Sequence, residues 1–216
     1  MRTILFLLAL GMLVFFSGCI QPESGPQVKE KAVSEEWKPD GLVGMNEYSN
    51  SMVLHGARSQ GYSGGDLEVS WKIDSQYLYM ALNGSTNGWI SVGFEPSEWM
   101  KDADIIMGSV VDGKPVVLDE YSTGNYGPHV NDTELGGTND ILEFGGMEKG
   151  GFEVVEFKRK LNTGDRFDKA FAPGQEISMI WALADSVDFQ IKHNVAKGEA
   201  ILFLQADGQG PTNSSS

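Results

Sequence analysis

The chain of 216 residues contains one cysteine and three histidines. A single thiol excludes an internal disulfide, a cysteine-held iron–sulfur cluster and the Cys-x-x-Cys-His attachment of covalent haem. With only His55, His129 and His193 available, imidazole ligands for any metal are few. Positive charge is also scarce: 16 Lys and Arg face 30 Asp and Glu, a net charge of −14 that becomes −15 when Arg2 leaves with a leader. Such a surface repels nucleic acid and anionic headgroups, and is compatible with steering toward a positively charged protein partner or simply with solubility. No amphipathic helix of three turns and no internal repeat can be traced. No Gly-x-Ser-x-Gly motif is present, so a hydrolase is disfavoured.

The only long apolar run lies at the start. Residues 1–18 carry one early positive charge, Arg2, then an apolar core ending in Phe16-Ser17-Gly18 before Cys19. The run is too short to span a bilayer comfortably and reads as an export signal. Cys19 in this setting resembles the lipidated cysteine of prokaryotic lipoproteins; a plain secretory signal cleaved elsewhere is the alternative. The expected organisation is a signal peptide over 1–18, a flexible polar tether over 19–38, one folded domain over 39–206 and a disordered tail over 207–216. The expected location is outside the cytoplasm, anchored to the cell membrane by lipid on Cys19.

What is present between tether and tail is β pattern. Residues 67–74, 77–82, 115–119, 151–159, 177–183 and 200–204 alternate apolar and polar. Residues 89–94 alternate too, and 103–111 form a β-rich apolar run. Turn signals punctuate them at Asp74-Ser75, Asn83-Gly84, Asp112-Gly113, Gly145-Gly146, Gly150-Gly151 and Pro173-Gly174. With 27 glycines and many short strands, the fold class is all-β, an antiparallel sandwich of two packed sheets.

Among the methionines, Met80, Met107 and Met179 sit in strand patterns and read as core filler. Met100 lies instead in a charged loop, Glu98-Trp-Met-Lys-Asp102, where strand packing does not explain an apolar side chain. A thioether there could ligate a soft metal, but by itself it more often caps one end of the sandwich as a gap-filler. His193, in a turn entering the last strand, is by default a solvated loop residue, and as neutral imidazole a ligand; His129 in a Pro/Gly-rich loop competes with it, and His55 more weakly. The aspartates 102, 104, 112, 119, 132 and 140 lack the spacing of a calcium loop and read as solvated turns. Glu153 and Glu156 fall on opposite strand faces and cannot act as a glycosidase pair.

The ordered run Trp71-Lys-Ile-Asp74, Tyr79-Met-Ala-Leu82, Gly88-Trp-Ile-Ser-Val-Gly-Phe94, Met100-Lys-Asp-Ala-Asp104 with Gly108, Val117-Leu-Asp119 with Tyr121, Phe157-Lys-Arg159, Ile180-Trp-Ala182 and His193 resembles a DOMON domain. The resemblance implies a β-sandwich that binds haem b or sugars. In the haem-binding members, one axial ligand is a Met on the loop after the Gly-Trp strand and the other a His near the last strand, positions that match Met100 and His193. Apolar walls are then expected from Trp89, Trp99, Tyr121, Tyr126, Trp181 and Phe189, and propionate pairing from Lys101, Lys192 or Lys197. The implied role is extracytoplasmic electron transfer with a separate redox protein as partner and no catalysis of its own. The other reading is a carbohydrate- or small-ligand-binding sandwich without haem.

Overall fold

Period-two alternation places Leu67, Val69, Trp71 and Ile73 on one face of a single strand, all buried. The computed structural model describes residues 37–206. The strands are β1 (Asn50–Gly56), β2 (Gly65–Ile73), β3 (Tyr77–Gly84), β4 (Ile90–Phe94), β5 (Asp104–Val111), β6 (Lys114–Ser122), β7 (His129–Asn131), β8 (Ile141–Lys149), β9 (Phe152–Lys160), β10 (Glu176–Leu183) and β11 (Ala196–Phe203). A single 3-10 turn, Asp132–Leu135, is the helical segment among the described residues.

They form two antiparallel sheets, one in the order β1-β2-β3-β9-β8 and the other β11-β10-β4-β5-β6-β7. The inner faces meet over a core that includes Trp71, Met80, Phe94, Ile106, Phe157, Met179 and Trp181. This is the expected sandwich.

Three local readings are corrected. Asn83-Gly84 and Gly145-Gly146 are not turns but lie within β3 and β8. Gly145 is there because Pro39 crosses it so closely that a Cβ would strike the Pro39 carbonyl. The edge strand β1 also escaped notice, since alternate residues are only half-buried. By contrast, Asp112 and Gly113 form a genuine β5–β6 hairpin, with φ of 52° and 74°.

Packing extends into the expected tether. The Trp37 indole N–H donates to Tyr48 Oη at 2.8 Å, and its ring lies edge-on to Tyr79 at 5.1 Å. Glu156 anchors this segment on the outer face of its sheet, accepting from Gly41 N–H and the Tyr48 hydroxyl. Glu153 points the other way and accepts from Val110 N–H across the interior. The leader, Cys19 and residues 207–216 lie outside the described residues.

The aspartates depart furthest from expectation. Asp104, Asp119 and Asp132 are buried rather than in solvated turns, and Arg159 is buried beside Asp104.

Candidate functional site on the outer face of the six-stranded sheet

In a two-layer sandwich, side chains on the outer faces ordinarily meet water. β5 breaks that rule: every residue from Asp104 to Val110 is buried. Its inward residue Ile106 joins the main core, while Ile105 and Met107 join a second apolar cluster with Trp89, Ala103 and Ala184. Met100, Leu118, Ile180, Ala182 and Phe189 pack against that cluster. Gly93 supplies the floor between them, since a Cβ there would come within 2.9 Å of Ile180 and 3.2 Å of Ile105.

Met100 reaches this face from the β4–β5 loop. The loop is contorted, with positive φ at the non-glycine residues Glu95 (50°), Trp99 (56°) and Asp102 (60°). Polar contacts hold its shape: Asp102 accepts from the Ser97 hydroxyl at 2.5 Å and the Tyr121 hydroxyl at 3.0 Å, and Met100 N–H approaches Asn125 O at 3.4 Å. These hydroxyl contacts hold the Asp102 carboxyl below its usual range.

His193 reaches the same face from the β10–β11 loop. Gly88 starts the arrangement, because the backbone of Ala184 and Ser186 crosses where its Cβ would be. The adjacent Trp89 pairs with Ser186 O and Ala184 N–H, and its indole donates to Ile191 O at 3.1 Å. The His193 ring then lies edge-on to Trp89 at 6.5 Å. Burial pushes the His193 imidazole down to about 4, with Lys197 and Lys192 adding to the shift, so the ring is neutral at pH 7. Its Nδ1 sits 3.1 Å from Tyr62 Oη, leaving Nε2 to face elsewhere. Tyr62 is held there by Ser63 N–H donating to Asn194 O and Gly64 N–H to Val195 O.

Met100 and His193 therefore flank one apolar face from opposite ends of β4, a strand whose four residue steps span about 13 Å. Trp89 and Phe189 belong to that face. Trp181 does not: strand alternation turns it into the main core, and Ala182 outward in its place. Tyr121 shares the inner face with its β5 partner Asp104 and packs on Phe167 at 5.2 Å. Trp99 and Tyr126 are 60 % and 80 % exposed and pair with each other at 5.6 Å near the Met100 loop. Lys192 and Lys197 are exposed beside His193, and Lys101 is exposed next to Met100. His129 is held by Glu120, its Nδ1 2.6 Å from the carboxylate, and His55 pairs with Asp66 on the exposed β1 edge. Tyr62, Ile105, Met107 and Ile180 were not anticipated; of these only the Met107 thioether carried a chemical signal, and its strand setting concealed it.

The apolar floor, the neutral imidazole with an orienting partner on Nδ1 and the loop thioether fit the donor set and walls that a non-covalent haem requires. The DOMON domain family model matches residues 63–184. The chain belongs to the DOMON family. Met100 lies inside the matched stretch and His193 beyond its end. Among curated proteins, this DOMON domain is 30 % identical over 114 residues to DBH-like monooxygenase protein 1 of Mus musculus and 29 % identical over 121 residues to that of Homo sapiens. The matches take in 53 % and 56 % of this chain but only 18 % and 19 % of those proteins, so monooxygenase activity is not carried over with them. Among solved structures, the cytochrome domain of Myriococcum thermophilum cellobiose dehydrogenase aligns with a TM-score of 0.52 and 14 % identity, covering 76 % of this chain and 86 % of that one. At that identity the likeness is one of fold.

Proposed function

We propose that this DOMON domain is a haem b-binding electron-transfer module with Met100 and His193 as the axial ligands. The observation that carries the reading is that these two side chains, 93 positions apart in sequence, flank one buried apolar face, Met100 by packing on it and His193 through Trp89. Met100 and His193 would hold the iron, and haem held this way would supply one-electron chemistry. In this reading Tyr62 orients the His193 ring, while Gly93, Ile105, Met107, Ile180 and Phe189 shape the apolar seat. The protein is exported, held at the membrane by lipid on Cys19 through the tether, in the manner of a prokaryotic lipoprotein, and exchanges electrons with a separate redox protein.

The test is optical. Full-length protein made with haem supplied should show a sharp α band on dithionite reduction, lost or shifted in Met100→Ala and in His193→Ala and retained in His129→Ala. An unchanged spectrum in both of the first two variants overturns the axial assignment.

The exposed Trp99–Tyr126 pair favours a second reading, a platform on which a sugar ring stacks. A colourless protein under haem-replete expression, with oligosaccharide binding abolished by Trp99→Ala, would support it.

A further inference from the structure

Behind the Met100 loop, on the inner side of the same sheet, the interior holds more negative charge than it neutralises. Asp104 opens β5, Asp119 lies in β6, Asp132 begins the 3-10 turn after β7, and Asp168 sits between β9 and β10. Asp104, Asp119 and Asp168 each present an oxygen within 4.8 Å of the others. A single guanidinium answers them: Arg159 Nη1 donates to Asp104 Oδ2 at 2.6 Å, and Nη2 lies 3.4 Å from Asp168 Oδ2. Asp104 Oδ2 also accepts from Lys169 N–H at 2.7 Å, and Asp119 Oδ2 from Asp140 N–H at 2.6 Å. One cation against four carboxylates leaves a formal surplus of three negative charges.

A second observation points at a missing ligand. Asp132 is 1 % exposed, yet neither of its carboxylate oxygens has a hydrogen-bond partner. Asp104 Oδ1 and Asp119 Oδ1 are likewise buried without one. Buried carboxylates left this way are strongly disfavoured unless a counter-charge arrives or they take up a proton. Burial foremost, reinforced by the neighbouring aspartates, pushes Asp132 up to about 8 and Asp119 up to about 7.

We propose that Asp104, Asp119 and Asp168, with the unpartnered Asp132 carboxyl beside them, form a calcium site, independent of the haem reading. The donors are all carboxylate oxygens, which excludes a preference for zinc or copper; gathered from four separate segments, they suit the large and irregular oxygen shell of calcium better than the strict octahedron of magnesium. A bound ion would tie β5, β6, the 3-10 turn and the β9–β10 connection together, and Asp104 would carry that restraint to the base of the Met100 loop.

The test uses full-length protein stripped with EDTA and free of haem. Calorimetric titration with calcium chloride should give one ion per chain and a saturable rise in melting temperature, and terbium should luminesce on excitation of nearby Tyr121 and be displaced by calcium. Asp132→Asn should weaken calcium binding about tenfold or more while leaving the far-ultraviolet circular dichroism unchanged. No heat and no thermal shift with the unmodified protein overturns the proposal, as does tighter binding of magnesium. Equal affinity in Asp132→Asn removes Asp132 from the site. Because the unmodified protein decides the first outcome, a variant that fails to fold does not obscure it.

Discussion

The Tyr62 hydroxyl sits 3.1 Å from Nδ1 of His193, and the two rings stack at 5.7 Å with an interplanar angle of 18°. A hydrogen bond on one ring nitrogen sets which tautomer is present and so whether the other nitrogen offers a lone pair. For Nε2 to be a ligand, Nδ1 carries the proton and donates it to the Tyr62 oxygen.

Tyr62→Phe keeps the stacked ring and removes only that partner. Haem affinity should fall by about 10- to 100-fold, as for loss of other partners that orient a ligand. Haem titration followed by quenching of Trp89 fluorescence measures it, and nitrogen-15 shifts of the His193 ring in the haem-free protein should report a changed tautomer mixture. Unchanged shifts and affinity would remove Tyr62 from this role.

Gly88→Ala forces a Cβ to within 2.3 Å of Ser186 N and 2.5 Å of Ala184 O, both backbone atoms that cannot swing aside. The expected loss is about 3 kcal/mol, the upper part of the usual overpacking range. Urea denaturation gives the value, and the junction that places Trp89 should be disturbed with it.

Arg159→Met leaves Asp104 buried without its guanidinium partner. Breaking one side of a buried pair costs about 3–5 kcal/mol, far more than an exposed ion pair contributes. Chemical denaturation in EDTA, where no cation can compensate, should show that loss.

Glu153 carries a pH dependence. Burial raises its carboxyl from 4.5 to about 7, while Val110 N–H and Ser109 pull in the other direction. The folded state thus holds a proton that the unfolded chain releases near 4.5, so this group's contribution is fully present below 4.5 and is lost as pH rises toward 7. Glu153→Gln retains an acceptor for Val110 N–H and does not ionise. Its stability relative to the unmodified protein should increase from pH 4.5 to pH 8, and urea midpoints at the two ends of that range measure the difference. A constant difference would show that Glu153 does not titrate in this window.

Much of the sandwich could be read in one dimension. β2 alternates strictly, and its inward set and those of β3 and β10 are buried as the pattern requires, whereas β9 also turns Glu153 and Arg159 inward. β8 was hidden because Gly145 makes room for Pro39, a neighbour 106 positions away, and with Gly146 resembles a turn when seen alone. Met100 stood out as a thioether in a charged loop, and His193 was singled out by the resemblance to DOMON domains. Tyr62 was not, since nothing near it in the chain indicates a partner 131 residues downstream.

The difference lies in the range of the forces involved. Strand formation and the choice of inward side chains follow from period-two alternation, which neighbouring residues specify among themselves, so the fold class was already contained in the chain's local pattern. Which outer face is covered depends on loops that arrive from distant strands. Their arrival covered Ile105, Met107 and Ile180 on the outer face of the six-stranded sheet and enclosed Asp104, Asp119 and Asp132 in a low-dielectric interior.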